Sequence, residues 1–180
     1  MKIIKTTISD FLIIEPTIFS DERGFFFESY NKDMWQKVAG IGVDFIQDSH
    51  SRSIKNVLRG LHCQINKQQK QLVRVVVGKI FDVVVDLRKS SPTLGQWVST
   101  YLSAENKRQI WVPANFAHGF LVVSDVAEVL YKTTNYYTPN HERSIMWNDL
   151  DIGINWPLKD APILSPKDNS ALSFKEYCKL

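Results

Sequence analysis

Apolar and polar positions alternate along most of this chain in short runs, and few recur at the spacing of a helix. Leu72–Val77, Ile80–Leu87, Trp97–Leu102, Gln109–Val112, Phe116–Val123 and Val126–Thr134 are rich in β-branched and aromatic residues and are closed by turn formers, which predicts strands. Residues 1–20 add short strands separated at Ser9-Asp10 and Glu15-Pro16, and Val43–Ser51 adds another. Gly78-Lys79, between two of the runs, predicts a two-residue hairpin turn. One segment carries helical signals: Asn31 as N-cap, an apolar stripe of Met34, Trp35 and Val38, and Gly40 as the stop. Ser90–Gly95 reads as a loop. After Trp156, three prolines (Pro157, Pro162, Pro166) predict an irregular tail wrapped over the surface, an odd place to find Lys167-Asp168 behind Leu164-Ser165. With turns about every ten residues and no βα alternation, repeat or linker, the pattern predicts a mainly β single domain over residues 1–180. Its architecture should be an antiparallel sandwich or barrel with few short helices.

Composition narrows the function. The 180 residues are 44% hydrophobic and 12% aromatic, enough for a well-packed core. Twenty-two basic and 19 acidic residues leave a net charge of +3, too weak a bias for a nucleic-acid partner, though a local basic pocket for a phosphorylated ligand is compatible with it. Cys63 and Cys178 are far apart and lack CxxC spacing, so neither a disulfide framework nor a structural zinc site is expected. No apolar run approaches the roughly 18 residues that span a bilayer, and Met1-Lys2-Ile3-Ile4-Lys5 lacks a signal-peptide core. The expected location is cytoplasmic, without a membrane partner.

Chemistry concentrates in Arg59-Gly60-Leu61-His62-Cys63-Gln64. In a regular strand Leu58, Gly60, His62 and Gln64 share one face, and Gly60 leaves open space beside His62. His62 is then either a ligand-facing side chain or a core histidine satisfied by a carbonyl; the local pattern does not choose. In Asp21–Glu28, Gly24 marks a turn, and alternation can bury only part of Phe25-Phe26-Phe27. At least one ring should face a partner or ligand, and beside Arg23 it would suit base stacking and phosphate binding. His118 and Tyr131, each taken alone, read as packing residues. A catalytic metal is not expected, because Gly60 and Gln64 stand where further ligands on the His62 face would be, and His118 completes no set. There is no G-x-S-x-G elbow and no Gly-rich phosphate loop, and strand alternation turns Cys63 away from His62. What remains is cofactor-free proton transfer, with a histidine base, a tyrosine acid, and arginine among the donors holding an anionic substrate.

Several segments, taken in order, resemble the dTDP-4-dehydrorhamnose 3,5-epimerase family, cupin-type enzymes of nucleotide-sugar biosynthesis. The resemblance runs from about residue 3 to residue 169. It rests on Asp21–Glu28, Asn56–His62, Phe81–Arg88, Ser91-Pro92-Thr93, Leu102–Asn106, Phe116–Phe120, Trp147-Asn148-Asp149 and Leu164–Asp168. It implies a jelly-roll barrel and a homodimer with an exchanged N-terminal strand. The implied reaction is epimerisation at C3 and C5 of dTDP-4-dehydro-6-deoxy-D-glucose to dTDP-4-dehydro-L-rhamnose, serving O-antigen or cell-wall polysaccharide. His62 would be the base, Asp168 its orienting partner, and Tyr131 the acid on the opposite face. Arg59, His118, Gln47, Glu142 and Lys167 would contact the nucleotide-sugar, and Arg23 and Glu28 would reach a neighbouring subunit's nucleotide. Phe26, Ser49 and Gln71 complete the expected substrate contacts.

Three positions depart from the family pattern. Gln71 stands where a lysine would stabilise the enolate oxygen, so either Lys70 reaches in through a bulge or the oxyanion site is weaker. Ser49 replaces an asparagine. Asn115 replaces a glycine, a mild change because asparagine tolerates left-handed backbone. The departures keep other readings open: a single-carbon epimerase on a related dTDP-4-keto sugar, a catalytically silent nucleotide-sugar binder, or a barrel without ligand.

Overall fold

The computed structural model describes residues 1–180. Its strands are β1 (Lys2–Lys5), β2 (Leu12–Glu15), β3 (Phe19–Asp21), β4 (Gly24–Phe26), β5 (Gln47–Ile54), β6 (Leu58–Gln64) and β7 (Gln71–Val77). They continue with β8 (Lys79–Asp86), β9 (Trp97–Ser103), β10 (Gln109–Val112), β11 (Phe116–Val122), β12 (Val126–Thr133) and β13 (Glu142–Ser144). Three short helices complete the chain: α1 (Lys32–Ala39), α2 (Pro166–Asn169) and α3 (Phe174–Tyr177). A six-stranded sheet in the order β1-β2-β10-β7-β12-β5 faces a five-stranded sheet in the order β13-β6-β11-β8-β9, and β3-β4 stands apart as a hairpin. All strand pairs are antiparallel, a jelly-roll arrangement.

Layering follows from which faces are apolar. Between the sheets, Val73, Val75, Ile110, Val112 and Val129 meet Ile80, Val84, Phe116, Phe120 and Val122. On the outer face of the five-stranded sheet, Leu58, Leu61, Phe81, Val83, Val85 and Leu121 are covered by Ile152, Trp156, Leu164, Phe174 and Tyr177 of the C-terminal segment. On the outer face of the six-stranded sheet, Ile14, Leu72 and Trp111 pack against Trp35 of α1 and Ile41. β8 is buried along nearly its whole length because both its faces are covered.

Helix α1 is capped as its sequence predicts: Asn31 accepts from the Asp33 and Met34 amides, and Gly40 closes it at φ 69°. The predicted stripe is not a buried one. Only Trp35 is buried, while Met34 and Val38 are 42% and 43% exposed. β5 begins four residues later than predicted and extends past Ser51 to Ile54. Gly78-Lys79 makes no hairpin: β7 and β8 lie in different sheets, so the turn is a corner carrying the chain across the sandwich. Turn residues specify a reversal of direction, whereas pairing depends on which sheet buries each apolar face. The C-terminal tail also differs from expectation. It carries α2 and α3 and is tied in by parallel bridges Val57↔Ile163 and Ile145↔Leu172, because it must cover an apolar sheet face.

Candidate active site

A cavity of about 330 Å³ opens between the sheets and is lined by Ser51, Arg59, His62, Gln71, His118 and Tyr131 among others. A break in alternation in β6 brings the first of these together. His62 pairs with His118 and Arg59 with Phe120, so three steps along β6 match two along β11. Such a bulge re-aims side chains. Leu58 and Leu61 therefore both pack outward, while Arg59 and His62 both line the cavity. This overturns the expectation that Leu58, Gly60, His62 and Gln64 share a face. Nor is there open space at Gly60: a Cβ there would lie 2.5 Å from Gly119 Cα. Gly60 has φ +122°, so two glycine backbones cross closely where the bulge forms.

His62 is held from the C-terminal segment. Its Nε2–H donates to Asp168 Oδ1 at 2.5 Å, and Ser165 Oγ donates to Asp168 Oδ2 at 2.8 Å. The Asp168 side chain is 3% exposed and that of His62 28% exposed. Burial pushes the Asp168 carboxyl up, but the bonds from His62 and Ser165 and the charge of Lys167 outweigh it and hold the group below its ordinary value. With one ring nitrogen donating to Asp168, the other is left to take a proton.

Directly opposite across the sheet, the His118 ring bonds Asp82 Oδ2 at 2.9 Å with both side chains buried. Burial pushes the Asp82 carboxyl up against the pull of His118. Asp82 Oδ1 is buried without a hydrogen bond. Sequence reading passed over Asp82, although one aspartate amid Ile80, Phe81, Val83, Val84 and Val85 signals a buried partner.

Tyr131 stands on the facing sheet. Its phenol lies 2.9 Å from Ser51 Oγ, and its ring packs against His118 and Phe120. Burial pushes its ionisation up, opposed by the Ser51 bond and the charge of Arg59. The imidazole of His62 and the phenol of Tyr131 thus come from opposite sheets, with the cavity between them.

The remaining expected contacts divide into those at the cavity and those away from it. Lys167 bonds Glu142 at 2.8 Å, and both line the cavity. Arg59 Nε donates to Ser53 Oγ at 3.0 Å. Gln47 and Ser49 line an adjoining recess with Gln71 and Tyr131. Gln71 lines the main cavity where Lys70 does not, and β7 pairs without irregularity at that end, so no bulge brings Lys70 in. Among four cavity glutamines, Gln64 and Gln69 bond backbone and Gln68 bonds Asn115, whereas buried Gln71 Oε1 has no partner. Asn115 adopts φ 65°, as the exchange for glycine requires. Arg23, Phe26 and Glu28 are not at this cavity. Arg23 pairs with Asp21, while Phe26 and Glu28 line a separate recess with Phe19 and Met34. Cys63 packs on the outer cluster with its thiol pushed up to about 11 by burial. Nowhere do three or more His, Cys, Asp or Glu side chains converge as a metal-holding group. No helix is long and apolar enough to cross a membrane.

The family model for dTDP-4-dehydrorhamnose 3,5-epimerase matches residues 5–176. The enzyme of that name from Pseudomonas aeruginosa is 56% identical over 176 residues, covering 98% of this chain and 97% of its own. That from Salmonella typhimurium is 59% identical over 172 residues, covering 95% and 94%. A crystal structure of the Legionella pneumophila dTDP-6-deoxy-D-glucose-3,5-epimerase in complex with dTDP-4-keto-L-rhamnose superposes with a TM-score of 0.95. It is 50% identical, with 97% of this chain and 93% of that one covered.

Proposed function

This chain belongs to the dTDP-4-dehydrorhamnose 3,5-epimerase family, and from that premise we propose that its cavity performs the double epimerisation by paired proton transfer. The protein is an isomerase of dTDP-rhamnose biosynthesis. Its substrate is dTDP-4-dehydro-6-deoxy-D-glucose and its product dTDP-4-dehydro-L-rhamnose. The observation that carries the reading is the placing of an aspartate-held histidine and a tyrosine on opposite walls of one cavity. The hydrogens on C3 and C5 are both α to the C4 ketone. His62 removes one as a proton and the electron pair moves to the C4 oxygen as an enolate. Tyr131 then protonates the same carbon from the other side, which inverts it. Asp168 orients the imidazole and stabilises it when charged. Arg59 and Lys167 supply positive charge for the diphosphate, His118 with Asp82 presents a fixed donor to the sugar, and Gln71 offers a neutral amide to it.

The working unit in this proposal is a cytoplasmic homodimer. Phe19, Phe25 and Phe26 are 63%, 59% and 71% exposed on the β3-β4 hairpin, and Met34 lines a recess with Phe19 and Phe26. A surface of this kind calls for a partner, and an exchanged hairpin would bring Arg23, Phe26 and Glu28 to the second subunit's nucleotide, with Gln47 and Ser49 at its edge.

Proton NMR of dTDP-4-keto-6-deoxyglucose with the protein in deuterated water tests the reading: both the H3 and H5 signals should disappear. His62→Ala should abolish exchange at both carbons, and normal exchange in that variant would remove His62 as the base. Gln71 in the cavity favours one second reading, epimerisation at a single carbon, for which only one of the two signals would be lost.

A further inference from the structure

Strand β5 carries Gln47, Ser49, Ser51 and Ser53 at alternate positions, and each is engaged on the inner face of its sheet. Gln47 donates to Ser49 Oγ, Ser51 bonds Tyr131, and Ser53 accepts from Arg59. Serine is a weak strand former with little surface to pack, so three in a row on one strand face are not explained by propensity. In the register, Tyr131 stands opposite Ser49 and Ser51 stands opposite Val129. The phenol therefore leans diagonally along the strand to reach Ser51 Oγ, a contact aromatic side chains can span. Ser51 is the only hydrogen-bond partner of the Tyr131 hydroxyl, and it lines the cavity itself.

Resting on the reading of Tyr131 as the acid, we propose that Ser51 is a positioning residue that aims the phenol at the sugar and stabilises the phenolate left after proton delivery. In that step the Tyr131 O–H bond breaks and a C–H bond forms at the enolate carbon. The enolate pair makes the new bond, the C4 carbonyl re-forms, and the O–H electron pair stays on the phenolate oxygen. Ser51 Oγ, whose hydrogen can rotate, turns it toward that oxygen and becomes the donor in a charge-assisted bond. Without it the phenol loses its anchor and a buried phenolate loses its donor. Proton removal by His62 on the facing sheet is untouched. The enolate would then be reprotonated more often by the imidazole it came from, which restores the starting configuration.

Wild type, Ser51→Ala, Ser51→Thr and Tyr131→Phe are compared in deuterated water, following deuterium entering recovered substrate against formation of inverted product. The His62 imidazole exchanges its proton with solvent, so return from that face writes deuterium into unchanged sugar. Ser51→Ala should leave KM within about twofold and lower kcat by about 10- to 100-fold, the scale of one hydrogen bond to a charged oxygen. Its ratio of substrate labelling to inversion should rise toward that of Tyr131→Phe, and Ser51→Thr, which keeps the hydroxyl, should restore it. If Ser51→Ala lowers labelling and inversion together, or leaves the ratio at the wild-type value while Tyr131→Phe raises it, Ser51 is structural only. In that case the acid assignment stands and the proposal fails. If Tyr131→Phe itself leaves the ratio unchanged, the acid assignment fails and the proposal with it.

Discussion

Asp168 shows how much one carboxylate does here. Burial disfavours its charge, yet two hydrogen bonds and the neighbouring Lys167 keep it ionised below the ordinary carboxylate range. Because its folded-state value is depressed, its contribution to stability is fully present above the unfolded value of about 3.9. That contribution is lost as pH falls through the lower folded value. Acid unfolding followed by circular dichroism should therefore begin at higher pH in Asp168→Asn than in wild type. The same variant should lose about 10²–10⁴ in kcat, since the imidazole loses both its orientation and its counter-charge; initial rates on the dTDP-keto-sugar check this. Legibility at this scale was uneven. The Arg59–Gln64 stretch announced itself by packing a cation and an imidazole into strand sequence. Ser51 did not, because its role comes from a diagonal contact with a residue 80 positions away.

At the scale of elements, the bulge in β6 is the feature on which the site depends. It comes from two glycines facing each other: a side chain at Gly60 would collide with the Gly119 backbone, and Gly60 also sits at a φ that other residues resist. Gly60→Ala combines backbone strain of about 1–3 kcal/mol with an overpacking cost of about 1–3 kcal/mol. A loss of about 2–6 kcal/mol is expected, read from the shift of the urea midpoint at unchanged m-value. Strand periodicity predicted most of the strands close to where they form. It could not predict that alternation breaks at Gly60, because the break requires a second glycine on β11. The Gly78-Lys79 turn makes the same point, since its local reversal is real and its strands belong to different sheets.

At the scale of the whole molecule, one cavity draws on segments from Ser51 to Asp168: β6 and β11 from one sheet, β5, β7 and β12 from the other, and α2 from the C-terminal segment. The β3-β4 hairpin belongs to neither main sheet and leaves Phe19, Phe25 and Phe26 largely exposed. For the proposed dimer with its exchanged hairpin, Phe26→Asp should shift the protein toward monomer in sedimentation velocity and raise KM for the nucleotide-sugar, while a dimer of unchanged stability would refute the exchange. By itself the sequence determined the mainly β architecture, the capped helix, the family and the residue types available for chemistry. These reside in local periodicity, caps and contiguous motifs, which need no knowledge of distant neighbours. Only the tertiary structure decided which strands share a sheet, which way Arg59 and His62 point, that Gln71 and not Lys70 faces the cavity, and that Asp82 bonds His118 and Ser51 bonds Tyr131. Those outcomes depend on burial and close approach between segments far apart in the chain, and each requires both partners to be in place.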